Sequence, residues 1–120
     1  MGTRALVHVH DDDPNGTILC TIYRQFDGYP EGLGDELREF ISKGVLINGI
    51  GIDAKIGTHF NGMGCFAAQL IAYLKNKVGN VYVYAPGTSD VWEEFTYHLW
   101  ASGNVVIMEI VLDPLEKEEE

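Results

Sequence analysis

Basic residues, cysteines and long apolar runs are all scarce in this chain, and each scarcity excludes something. Eight Lys and Arg stand against 18 Asp and Glu in 120 residues, a formal net charge of −10. Five acids against Lys117 beyond Leu112 account for −4 of it, leaving −6 on the body. A net-acidic body is a poor match for duplex nucleic acid or an anionic membrane, both of which reward positive surface. A local basic pocket for a small anion is still compatible with it. No apolar run approaches the ~18 residues of a membrane-crossing helix. The opening Met1-Gly2-Thr3-Arg4 has no signal-peptide core, so a cytoplasmic protein is expected. Only Cys20 and Cys65 occur, each within an apolar stretch. They read as small core residues in a reducing compartment, with a bridge between them left open.

What is present suits one folded domain. Hydrophobic residues make up 46% of the chain and charged residues 22%, ordinary proportions for a globular protein. A chain of this length buries enough surface to need no metal or disulfide. Arg4 to His10 alternates, with Ala5, Val7 and Val9 opposite Leu6, His8 and His10, the period of a strand. Asn15-Gly16 is a hairpin signal, and the β-branched run Thr17–Gln25 reads as the returning strand. Phe26 to Gly34 is a Gly/Pro loop, expected to hold neither helix nor strand. Leu37, Phe40 and Ile41 mark a short amphipathic helix.

Residues 45–59 read as a connector containing a short extended piece. Phe60, Met63, Ala67, Leu70, Ile71 and Leu74 trace a longer helix, with Thr58 or Asn61 as its cap. Strands are expected over 81–85, 91–100 and 105–112. The order β-β-α-α-β-β-β predicts an α+β domain over 1–112, an antiparallel sheet of about five strands with two helices on one face. An acidic flexible tail is expected over 113–120.

One sheet face is expected to meet the helices through Val7, Ile18, Cys20, Ile22, Val81 and Val83. The other would carry Arg4, His8, Tyr23, Tyr82 and Tyr84. So many aromatics on a helix-free face suit either a subunit interface or stacking on a ligand. Which side of residues 91–100 joins that face stays open, since Phe95/Tyr97/Leu99 and Trp92/His98/Trp100 are both apolar enough.

His8 and His10 point the same way on a strand and are followed by Asp11-Asp12-Asp13, which invites a metal. Acidic runs in turns serve conformation, so no metal or cofactor is assigned. Neither cysteine sits in a nucleophile pattern, and Asp27, Asp35, Glu36 and Glu39 sit where solvated helix faces carry acids. No catalytic set is assigned. The loop from Arg24 to Gly34 is the most distinctive stretch. Its glycines, running into a helix start, either cradle a phosphate with backbone N–H groups or simply permit a tight turn. In the first case Arg24 would add a bidentate contact, and Phe26 and Tyr29 would face a base. Phe60-Asn61-Gly62-Met63-Gly64-Cys65 likewise suits close helix packing or close approach of a ligand.

Gly2-Thr3-Arg4, the block Tyr23-Arg24-Gln25-Phe26-Asp27-Gly28-Tyr29-Pro30 and Asn61-Gly62-Met63-Gly64-Cys65 together resemble a family of small phage and bacterial proteins. Its characterised branch is the first family of Thoeris anti-defence proteins, and the likeness runs from Gly2 to Trp100. The resemblance implies a phage-type sponge that binds glycocyclic ADP-ribose signals without cleaving them. It implies a homo-oligomer, dimer or hexamer, with separate sites for small cyclic oligonucleotides. It also implies Arg4 and Arg24 as phosphate-facing residues and Tyr82 or Tyr84 as the base-stacking residue. Relatives often follow Gly-Thr-Arg with hydroxyl residues. This chain has Ala5-Leu6 there, which bears on any oligonucleotide site around Arg4.

The leading expectation is therefore a non-catalytic protein that sequesters a cyclic nucleotide. A small nucleotide hydrolase using His8, His10 or His98 with a carboxylate is the second, and a protein-interaction module the third.

Overall fold

The computed structural model describes residues 2–51 and 54–112; the tail expected over 113–120 lies outside the described residues. Strands β1 (Ala5–His10) and β2 (Ile18–Arg24) form the expected hairpin. Then come helix α1 (Asp35–Ser42), short strands β3 (Val45–Ile47) and β4 (His59–Asn61), and helix α2 (Gly62–Leu74). Strands β5 (Val81–Tyr84), β6 (Phe95–Ser102) and β7 (Val105–Leu112) complete the chain. The architecture is α+β: a mixed five-stranded sheet in the order β5-β2-β1-β6-β7, with β3 and β4 as a separate parallel pair.

One pairing departs from the antiparallel expectation. β1 and β6 run parallel, Ala5 against Phe95 and Val9 against Leu99. The cause is topological. β5 lies beyond β2, and the chain must recross β2 and β1 to reach β6, arriving in the same direction as β1. Residues 85–94 form that crossover, which shortens the strand expected from Val91 to one that starts at Phe95. β1 becomes the central strand, and all six of its residues are buried.

The core lies between the sheet and the helices. Ala5, Val7, Val9, Ile22, Val81, Tyr97 and Leu99 meet Leu37, Phe40, Phe66 and Leu70 there. Phe40, Phe60 and Phe66 pack with ring centroids 4.9–5.5 Å apart, within the range where aromatic pairs attract beyond their area burial. This assigns Phe95, Tyr97 and Leu99 to the helix side. Cys20 packs against the core as a free thiol, whose pKa burial pushes up; Cys65 is free too. Of the residues expected on this side, Val83 is 60% exposed, on the edge strand β5.

The loop before α1 also differs from expectation. Pro30–Gly34 forms a single π-helical turn leading straight into α1. Proline at its start is tolerated because the first N–H groups of a helix have no partner within it. Asn61 precedes α2, as expected of a cap, but its side chain accepts from Gly49 N at 2.8 Å and does not bond the helix.

Candidate functional site

The side of the sheet away from the helices carries the site. Alternation along paired strands places Leu6, His8, His10, Thr21, Tyr23, Tyr82, Tyr84, Thr96, His98 and Trp100 on it. Part of this face is nonetheless buried, with Leu6 and Thr21 at 0% exposure. The crossover of residues 85–94 runs over it as a strap. Gly87 N donates to Thr21 Oγ1 at 2.9 Å, and Glu94 N donates to Arg4 O at 2.8 Å. Between those anchors Glu93 is 6% exposed, and its carboxylate accepts from Asp90 N at 3.2 Å and Val91 N at 2.8 Å. The buried charge is thus held by the strap's own amides.

Under the strap the parallel β1–β6 register sets His8 opposite His98. The rings of His8, His10 and His98 lie 5.1–6.4 Å apart. His10 Nδ1 is 3.3 Å from Gly16 O, and a carbonyl only accepts, so Nδ1 bears the proton. His10 Nε2 then accepts from His98 Nδ1 at 2.8 Å, while His8 Nδ1 meets Thr21 Oγ1 at 2.8 Å. Burial, helped by His98 and His10, holds His8 down to about 4 against the pull of Glu93. Burial and His10 also lower His98, against Glu109. Burial thus favours the neutral form of His8 and of His98. Among the described residues no group of His, Cys, Asp and Glu is arranged to hold a metal ion.

Beside the histidines lies an aromatic cluster. Tyr23 and Tyr84 stack at 5.0 Å between centroids with only 8° between their planes, and Tyr82 leans on Tyr23 at 6.0 Å. Tyr23 is buried, Tyr84 half-buried and Tyr82 42% exposed, so the cluster runs from core to solvent. Burial raises the Tyr23 phenol, while the positive charge of Arg4 acts to lower it, which puts that guanidinium within electrostatic reach. Lys75 Nζ lies 5.5 Å from the Tyr82 ring centroid, a cation over its face. The structure therefore gathers Arg4, Tyr23, Tyr82 and Tyr84 at one end of the face.

Arg24, Phe26 and Tyr29 lie elsewhere. Arg24 is 6% exposed, and its guanidinium forks onto Glu36 at 3.1 and 2.8 Å and onto Phe26 O at 2.7 Å. It does not stand free to meet a phosphate. The loop's N–H groups are also engaged: Gly28 donates to Thr3 O, Leu33 to Asp27 O, and Gly32 and Gly34 to Tyr29 O. Tyr97 Oη donates to Gly28 O at 2.6 Å, and a Cβ on Gly28 would lie 2.7 Å from Ala5 Cβ. Phe26 packs over Gly2, and Tyr29 Oη bonds Asp27 Oδ1 at 3.1 Å. The block is a tight strand-to-helix turn, the second of the two sequence readings.

At the start of α2 the glycines are not packing positions. Gly62 has φ +82°, which favours glycine, and a Cβ on Gly64 would meet nothing within 4 Å beyond its own helix backbone. Open cavities of about 210 and 360 Å³ flank this segment, the first bordered by Lys55, His59, Cys65 and Gln69. Gln69 ties them together, donating to His59 O at 2.9 Å and accepting from Gly57 N at 2.7 Å.

The sequence reading missed Thr21 and Glu93. Thr21 was within reach, two residues before Tyr23 on one strand face. Glu93 was not, because nothing local distinguishes it from the exposed Glu94. No family model, no curated protein and no solved structure matches this chain.

Proposed function

We propose that this chain is a non-catalytic, phage-type binding protein that sequesters a small cyclic nucleotide of the glycocyclic ADP-ribose class. The observation that carries the proposal is the stacked Tyr23–Tyr84 pair with half-exposed Tyr82, on the same face as Arg4. Tyr82 or Tyr84 stacks on the base, a contact worth ~1–3 kcal/mol. Arg4 takes the phosphates, since a guanidinium forks onto phosphate oxygens in two parallel hydrogen bonds. The likeness of the Gly-Thr-Arg and Asn-Gly-Met-Gly-Cys blocks to the Thoeris anti-defence family supports the ligand class. By the same likeness the protein is a homo-oligomer, dimer or hexamer, in the cytoplasm of the host cell, and a second copy helps to close the ligand in.

The test is a calorimetric titration with glycocyclic ADP-ribose. Arg4→Ala is expected to weaken binding ~10-fold or more, as loss of a charge-assisted contact does. It leaves the fold intact, because Arg4 anchors the strap through its main-chain oxygen. Unchanged affinity would remove Arg4 from the site.

A second reading, hydrolysis at the histidines, is favoured by one observation: His8, His10 and His98 come together beside a buried glutamate. Against it, His8 and His10 are 6% and 3% exposed, and a general base must reach its substrate's proton.

A further inference from the structure

Trp92 lies on the strap, between its two main-chain anchors. Its backbone has φ +69°, and its side chain is 67% exposed. A bulky residue in the left-handed region is an outlier that persists only where its surroundings hold it. Here the holder is Glu93, buried next to it and bonded to the amides of Asp90 and Val91, with Asp90 itself at φ +59°. Burial in the core cannot be what this strain serves, since the ring faces water. One residue further on, Glu94 N is bonded to Arg4 O. The strap therefore presents an indole two residues from its anchor on the arginine of the proposed site.

We propose that Trp92 is a recognition residue, a second stacking surface for the base of the nucleotide bound beside Arg4 and the tyrosines. This rests on the binding function proposed above and adds a residue to it. Every base has a π-face, and an indole is a broad surface to receive it. The exposed Asp90 and Glu94 stand two residues to either side of Trp92 in the chain. They disfavour a phosphate there, so the base goes to Trp92 and the phosphates to Arg4. Strained backbone kept for a recognition side chain also predicts a trade-off: glycine at 92 makes the protein more stable and a worse binder.

The experiment uses the full chain with glycocyclic ADP-ribose as probe. Wild type, Trp92→Gly and Trp92→Phe are titrated by calorimetry and melted without ligand. A Trp100→Phe background leaves Trp92 as the only indole to report by fluorescence. The expected result has three parts: Trp92→Gly melts several degrees higher, binds ~10-fold or more weakly, and Trp92→Phe retains most of the affinity. In the Trp100→Phe background, ligand quenches the remaining emission. If Trp92→Gly binds as wild type does, the assignment of Trp92 is overturned while the binding function stands. If wild type itself takes up no probe, both fall together.

Discussion

Arg24 shows how a residue's chemistry is decided by what the fold places against it. As a lone arginine entering a glycine loop it is suited to phosphate. In the folded chain, three of its N–H groups serve Glu36 and the Phe26 carbonyl, and the side chain is buried. Hydrogen bonds to a charged group contribute roughly 1.5–3 kcal/mol each way they are lost. Glu36 is 41% exposed and regains water when its partner goes, so the lower end applies. Arg24→Ala is expected to lower unfolding stability by about 1–2 kcal/mol, read as a shift in the urea midpoint, with nucleotide affinity unchanged. A loss of affinity at full stability would return Arg24 to the site. Gly28→Ala belongs to the same lock. Its Cβ would lie 2.7 Å from Ala5 Cβ and 2.8 Å from the Thr3 carbonyl oxygen. Backbone must shift to admit it, at about 1–3 kcal/mol, which the same urea titration measures.

Between residue and fold stand the strap and the histidines beneath it. His8 takes up a proton near pH 4 in the folded protein, against an ordinary 6.5 in the unfolded chain. Between those values the unfolded chain binds more protons, so stability is lost as pH falls and is fully present only above 6.5. The difference corresponds to about 3 kcal/mol by pH 4, and His98, also lowered, acts in the same direction. Urea midpoints between pH 7 and 4.5 are expected to fall steeply for wild type and less steeply for His8→Asn. Parallel curves would mean that the histidines are not held neutral.

These elements also show what the sequence could disclose. The hairpin, both helices and the apolar side of β1 were legible because each is written in local periodicity and turn chemistry. The grouping of His98 with His8 and His10 was not. It depends on β6 docking parallel to β1, and strand order is set by packing between segments nearly a chain length apart. The loop from Arg24 to Gly34 was ambiguous for another reason. Glycines that let a ligand approach and glycines that let Thr3 and Ala5 approach look alike until the neighbouring strand is in place. Alternation alone groups Arg4, His8, Tyr23, Tyr82 and Tyr84 on one face, and the strand pairing puts His8, Tyr23, Tyr82 and Tyr84 there.

At the scale of the whole molecule, the chain is acidic, and the proposed site has Arg4 and, over the Tyr82 ring, Lys75 as its cations. Among the described residues no helix is long and apolar enough to cross a membrane. The binder proposed above would draw on stacking and enclosure more than on bulk electrostatics, and would release its ligand slowly and unaltered. That separates it from the hydrolase and from an interaction module. The direct measurement is to mix the purified protein with glycocyclic ADP-ribose, filter, denature the retained protein by heat, and identify what is released by mass spectrometry. The nucleotide is expected to disappear from the filtrate and to return intact on denaturation. Recovery of a cleaved product, or a filtrate that keeps all of its nucleotide, would contradict it.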